Sequence, residues 1–179
     1  MDRNHLSAHS PMITPARIKK FLLNGLVYLI LFFVIAQSVS WWKSRDAMRG
    51  DLSQFNIELM DGGRMQISEH AGRSVLLYFW STWCPICDLQ KGSVQSISED
   101  HPVISIASWS DTDEVKAYIL ENELTFPVMM DEDGQLARDF GLKGVPVSII
   151  LSPTGEMSFV EPGFTTELGL RFRLWLAGI

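Results

Sequence analysis

Val75-Leu-Leu-Tyr-Phe-Trp80-Ser-Thr-Trp83-Cys84-Pro85-Ile86-Cys87 is the stretch on which the reading of this chain turns. The run to Trp80 is unbroken, apolar and strand-like, and it leads straight into the cysteines. Cys84 and Cys87 are the only cysteines, and the segment after them is compatible with a helix. A helix opening at Cys84 puts that sulfur where unpaired backbone N–H groups and the helix dipole favour negative charge. The thiolate is the reactive form in disulfide exchange, so this place lowers the thiol pKa and makes Cys84 the candidate nucleophile. Cys87 follows one turn later on the same face and can close a disulfide, as a resolving thiol does. Pro85 suits the first helical turn, where a missing N–H costs little. Two other uses of the pair are a zinc half-site and a structural bridge. Zinc usually takes four ligands, but there is no second cysteine pair, and His5, His9, His70 and His101 follow no ligand spacing, so no metal is expected. A bridge over so short a loop would stabilise little.

The length of 179 residues allows one ordinary domain with appendages. Charge is unevenly placed. Arg3, Arg17, Lys19 and Lys20 against Asp2 give the first 42 residues +3, so the chain total of −6 leaves −9 on residues 43–179. An acidic domain without a basic, aromatic-laced patch excludes nucleic acid as the expected partner.

Residues 1–20 are expected to be a polar tail on the cytoplasmic side. No charged residue interrupts positions 21–42, from Phe21 to Trp41-Trp42. At about 1.5 Å per residue that run is long enough to cross a hydrocarbon core of roughly 30 Å as a signal anchor. The basic residues before it place the N-terminus inside, and the tryptophans suit the far interface. A cleaved signal peptide ending near Ala36-x-Ser38 is the competing reading, but the run is long for that and ends in bulky residues. Residues 43–54 read as a charged linker and 55–179 as the folded domain.

Within the domain, Phe55–Leu59 and Met65–Ile67 alternate like strands about an Asp61-Gly62-Gly63 turn. A helix is expected from Cys84 to about Glu99, weakened or kinked at Gly92. Val103–Ala107 reads as a buried parallel strand. Asp111-x-x-Glu114 looks like a capping box opening a helix to about Asn122. Phe126–Met130 is a short strand, with Met129 and Met130 filling core rather than holding copper. Asp131-Glu-Asp-Gly134 lacks the later ligands of a calcium loop and reads as a turn. A helical turn over Leu136–Phe140 stops at Gly141. Val147–Leu151 and Met157–Val160 form a hairpin, and Thr165 or Thr166 caps a last helix ending near Gly178. One strand–helix–strand crossover followed by a hairpin predicts an α/β domain with a central mixed sheet covered on both faces.

With Trp83-Cys-x-x-Cys87 opening the first helix of such a domain, residues 51–179 resemble the thioredoxin-like fold. Phe79-Trp-Ser-Thr-Trp-Cys84, the N-terminal β-hairpin and Gly144-Val145-Pro146 before a strand are similar to the membrane-anchored TlpA/ResA-type thioredoxins. Cys84-Pro-Ile-Cys87 followed by Asp88-Leu-Gln90, after an anchor, looks most like the suppressor-of-copper-sensitivity D proteins. The resemblance implies a cis peptide bond before Pro146, facing the cysteines. It implies that Trp83, Pro85, Ile86 and Val145 line the place where substrate binds. Two positions depart from the pattern. Tyr78 stands where thioredoxins carry a buried Asp, and Gln90 where ResA-type proteins carry a buried Glu. A buried carboxylate there would help move the proton of the second thiol, so that role has no owner. Tyr78 is open to being a packed aromatic, and Gln90 a surface residue.

The function implied is a thiol–disulfide oxidoreductase with its redox domain in the bacterial periplasm, held to the inner membrane by a single pass. It would need no cofactor beyond the Cys84–Cys87 disulfide. Its partners would be disulfide-containing exported proteins and a membrane electron donor of the DsbD or ScsB type. The alternatives are a dedicated reductant in cytochrome c maturation and a Cu(I)-binding module without turnover. Cytochrome c reductants of this type carry Glu after the cis proline, where Val147 stands here.

Overall fold

A computed structural model describes Asn24, Tyr28, Leu52 and residues 55–179. The tail expected over 1–20, the span over 21–42 apart from those two residues, and the linker over 43–54 apart from Leu52 lie outside the described residues. Among the described residues no helix is long and apolar enough to cross a membrane.

Strand β3 (Val75–Trp80) is the centre of a five-stranded sheet of order β5-β4-β3-β6-β7. All six of its residues are buried, and side-chain alternation splits them between two cores. Leu76, Tyr78 and Trp80 join the core on one face, with Val94, Ile97, Leu170 and Leu174. Val75, Leu77 and Phe79 join the other, with Ile57, Ile67, Phe140 and Leu142. After β3 the chain runs through α1 (Pro85–Ser98) into β4 (Val103–Ser108), which pairs parallel with β3. Then α2 (Thr112–Glu121) crosses to β5 (Val128–Asp131), parallel to β4. A short α3 (Gln135–Asp139) leads to the antiparallel hairpin β6 (Val147–Leu151) and β7 (Met157–Pro162), and α4 (Glu167–Ala177) closes the chain. The sheet is therefore mixed and covered on both faces, the thioredoxin-like α/β arrangement. The N-terminal strands β1 (Asn56–Glu58) and β2 (Arg64–Gln66) make a separate two-stranded hairpin.

The differences from expectation have local causes. Strand β5 starts at Val128 rather than Phe126, because Pro127 has no N–H to give to a ladder. Asp111 caps α2 through the N–H groups of Asp113 and Glu114. The Glu114 carboxylate instead accepts from the Thr82 hydroxyl at 3.3 Å, so the box is half made. Gly92 leaves α1 unbroken. Leu52, read as linker, is buried against the second core and donates its N–H to the Gly155 carbonyl at 2.9 Å. Met129 and Met130 pack partly buried against the two cores.

Asp131 does more than turn the chain. Its buried carboxylate accepts from the Ser108 hydroxyl at 2.7 Å and from the N–H groups of Leu136 and Ala137 at 2.9 and 3.0 Å. It thereby satisfies the first free donors of α3 and ties that helix to the end of β4.

Arg171 joins α4 to the end of α1, reaching Asp100 and Glu167 at 2.8 Å each. Hydrogen bonds from His101 and then Arg171 hold the Asp100 carboxyl below its ordinary range, and those from Arg171 and then Ser96 do the same for Glu167. Depressed carboxylates stabilise the fold above their unfolded pKa and lose that contribution as pH falls through the folded one. The melting-temperature deficit of Arg171→Met is thus expected at pH 7, should begin to shrink as pH falls below the ordinary carboxyl range of about 4, and should vanish only below the depressed folded values. Thermal scans of the two proteins across that range decide it.

Candidate active site

The β3 strand delivers its last residue, Trp80, to the edge of the sheet, and Cys84 follows as the N-cap of α1. Its backbone is extended (φ −93°, ψ 107°), and its sulfur accepts the Cys87 N–H at 3.1 Å. Cys84 and Cys87 are joined as a disulfide with Cα atoms 5.2 Å apart. Cys84 is 5% exposed and Cys87 1%, so an incoming thiol or disulfide meets Cys84 first. Pro85 occupies the first helical position, where α1 has no donor to lose.

The antiparallel register of β3 with β6 sets Phe79 opposite Val147. That register carries the segment before β6 to the segment after β3. The Val145 carbonyl oxygen consequently lies 3.7 Å from the Cys84 sulfur, across 61 residues of chain. The Val145–Pro146 peptide bond is cis. The Pro146 carbonyl accepts the Gly163 N–H at 2.8 Å, which fixes the loop from β7 beside it.

Trp83, Pro85 and Ile86 stand exposed around the disulfide, and Val145 is half-buried. Trp83 is held in place: its indole N–H donates to the Trp109 carbonyl at 2.8 Å. Trp109 itself has φ +54°, an uncommon backbone for a bulky residue. Sequence reasoning missed Trp109, since nothing local marks a residue whose carbonyl meets a side chain 26 positions earlier.

Behind the sulfurs, the two departures from the family pattern are both interior. Tyr78 is buried and donates its hydroxyl to the Cys87 carbonyl at 3.3 Å. Burial above all, then the fields of Tyr118 and Asp88, pushes its pKa far up, so it stays a neutral donor. Gln90 is 0% exposed, so it is not a surface residue. Its amide N–H donates to the Ser148 hydroxyl at 3.1 Å, and its carbonyl accepts the Thr165 N–H at 3.2 Å. One side chain thus ties α1 to β6 and to the start of α4. Gln90→Leu keeps the volume but leaves the half-buried Thr165 N–H and the buried Ser148 hydroxyl without this partner, an expected loss of about 1–3 kcal/mol; the urea midpoint would show it.

Beside Cys87, the exposed Asp88 carboxylate receives Lys91, three residues on, and the Tyr118 hydroxyl at 3.0 Å. Those two hydrogen bonds, Lys91 first, hold it below the ordinary carboxylate range. Tyr118 is raised, by burial and then by its bond to Asp88, and its ring lies 5.2 Å from that of Trp80. Among the described residues, no group of three or more His, Cys, Asp or Glu side chains converges as a metal site would need.

Residues 49–160 match the AhpC/TSA family. A thioredoxin-like protein of Haemophilus influenzae is 30% identical over 164 residues, 90% of this chain and 97% of the relative. Sporulation thiol-disulfide oxidoreductase A of Bacillus subtilis is 26% identical over 153 residues, 81% of this chain and 92% of the relative. The crystal structure of StoA from Bacillus subtilis superposes with a TM-score of 0.60 at 24% identity, covering 71% of this chain and 98% of that one. That last likeness bears on the fold.

Proposed function

The chain belongs to the AhpC/TSA family, among its thioredoxin-like TlpA/ResA-type thiol–disulfide oxidoreductases, and from that premise we propose that it is a membrane-tethered reductase of disulfides outside the cytoplasm. The observation that carries the reading is the disulfide between a helix-capping Cys84 and a buried Cys87, with the Val145 carbonyl against the outer sulfur. In the reduced protein the Cys84 thiolate attacks one sulfur of a substrate disulfide. The substrate's other sulfur leaves as a thiolate and takes a proton from water. Cys87, deprotonated, then attacks the Cys84 sulfur of the mixed disulfide and expels the second substrate thiolate. The substrate has gained two electrons, and the domain holds the Cys84–Cys87 disulfide. The Cys87 N–H aimed at the Cys84 sulfur and the dipole of α1 both favour the attacking thiolate. Trp83, Pro85, Ile86 and Val145 form the surface that substrate touches.

Several parts of this reading rest on sequence. The uncharged run over 21–42 supports a single-pass anchor in the inner membrane with the domain in the periplasm. A membrane electron donor of the DsbD or ScsB type would restore the dithiol, and exported proteins would be the clients. No further cofactor enters the exchange. Cys84-Pro-Ile-Cys87 with Asp88-Leu-Gln90 supports the narrower likeness to the suppressor-of-copper-sensitivity D proteins. A dedicated cytochrome c reductant is disfavoured by Val147, which is buried and paired with Phe79 and Pro162 in the sheet. A Cu(I) module would have only the two thiolates as soft ligands.

Equilibration of the full chain in detergent against glutathione tests the direction. A potential below the glutathione pool is expected, and one above it would make the protein an oxidase. Reduction of an oxidised apocytochrome CxxCH peptide no faster than a generic disulfide is the companion result. A marked preference for that peptide would favour cytochrome c maturation.

A further inference from the structure

Ser81, Thr82 and Trp83 join the end of β3 to Cys84, and each is tied by its own bond to the loop after β4. The Ser81 hydroxyl donates to the Ser108 carbonyl. The Thr82 N–H donates to the Ser110 hydroxyl at 3.1 Å, and the Thr82 hydroxyl lies 3.3 Å from the same oxygen. The Trp83 indole makes the third tie, to the Trp109 carbonyl. Ser81 and Ser110 are 0% and 4% exposed, so their bonds form in a low-dielectric interior, where such bonds are strong. The loop after β4 is itself held. The Ser110 hydroxyl donates to the Ser108 carbonyl at 3.4 Å, the Ser108 hydroxyl to the Asp131 carboxylate at 2.7 Å, and the Trp109 N–H to the Asp131 carbonyl at 3.0 Å. The ties reach Cys84 directly, because its N–H donates to the Ser81 carbonyl at 3.3 Å.

We propose that Ser81 and Ser110 are positioning residues that keep the Cys84 sulfur at the cap of α1 once its disulfide is open. The inference rests on the exchange reaction proposed above. In the oxidised domain the bridge to Cys87 fixes Cys84 covalently. Reduction removes that bond, and the attacking form then depends on non-covalent ties alone. The thiolate gains from the Cys87 N–H and from the α1 dipole only while the sulfur stays in place, since the dipole's effect falls off within the first turn. A loose turn at 81–84 would carry the sulfur out of that field. Ser81 is bonded on both sides of the problem, by its side chain to the loop after β4 and by its carbonyl to Cys84. Ser110 uses its single donor on Ser108 and its acceptor capacity on Thr82. Asp131, a buried carboxylate that the exchange does not use, is the far anchor of the set.

The rate of Cys84 alkylation by iodoacetamide, followed against pH, tests this in the full chain in detergent. A Cys87→Ser background leaves Cys84 as the only thiol. Ser81→Ala and Ser110→Ala are each expected to slow alkylation at pH 7 by roughly two- to ten-fold, the scale of one hydrogen bond, with the midpoint of the pH profile moved up. Ser74→Ala is the control. Its hydroxyl is likewise buried and donates to a carbonyl, that of Leu174 at 2.8 Å, but at the opposite end of β3. It should lower the melting temperature and leave the profile in place. Thermal scans show which variants fold; if Ser81→Ala does not, Ser110→Ala carries the test. Profiles of the Ser81 and Ser110 variants that match the parent overturn the proposal. So does an equal shift in Ser74→Ala, which would make the effect one of lost stability alone. A parent whose Cys84 reacts no faster at pH 7 than free cysteine would sink the exchange reading and this proposal together, so the two failures are told apart.

Discussion

Cys84→Ser is expected to lose disulfide reduction by at least roughly 10³-fold, the scale on which an enzyme suffers when its covalent nucleophile is removed. A serine hydroxyl at that N-cap still accepts the Cys87 N–H, so the helix start and the fold should survive. The loss is therefore chemical rather than structural. Cys87→Ser should behave differently. Cys84 remains the more exposed of the two positions and still attacks, but nothing displaces the substrate from it. The variant should accumulate mixed disulfides, visible as adducts on non-reducing gels that dithiothreitol reverses. The two measurements separate the roles that burial assigns, 5% exposure for the attacking sulfur against 1% for the resolving one. Insulin reduction at the wild-type rate by the Cys84→Ser protein would refute the assignment.

The second large effect is on stability. Gly134 has φ +71°, and a Cβ built on it would lie 1.9 Å from the indole nitrogen of Trp109. Alanine there meets both a left-handed backbone penalty of about 1–2 kcal/mol and an overpacking penalty of about 1–3 kcal/mol. Gly134→Ala should thus destabilise by about 3 kcal/mol. Gly92→Ala is the matched contrast: its Cβ meets nothing within 4 Å in the interior of α1, and it should stabilise by roughly 0.5–1 kcal/mol. Urea unfolding of the two variants would show opposite shifts. Equal shifts would mean that the Trp109–Gly134 contact carries no weight. The consequence reaches the site, because the Trp109 carbonyl that holds the Trp83 indole belongs to the residue the new methyl would displace.

Local pattern made much of this molecule legible. The apolar run Val75–Trp80, the alternating Phe55–Leu59 and the caps Asp111 and Thr166 act through neighbours within a few residues, and the corresponding elements form almost where the pattern puts them. Gln90, which the sequence leaves open between interior and surface, and Leu52, which reads as linker, show the converse. Their polarity and surroundings suggest surface or linker, whereas partners 58 to about 100 residues away, Ser148 and Gly155, hold them inside. Asp131 reads as one acid in an acidic turn until Ser108, Leu136 and Ala137 converge on it.

By itself the sequence determined that two thiols one helical turn apart follow an apolar, strand-like run, because covalent spacing and helix periodicity need no partner elsewhere. It determined as well the α/β order of elements, since each signals through its own period. Only the tertiary structure decided what faces those thiols. The register of β3 with β6 brings Val145 to Cys84, the Trp109 carbonyl fastens Trp83, and the packing of α1 on the sheet buries Gln90. Contacts of that kind depend on how strands far apart in the chain align, and no local pattern records that alignment.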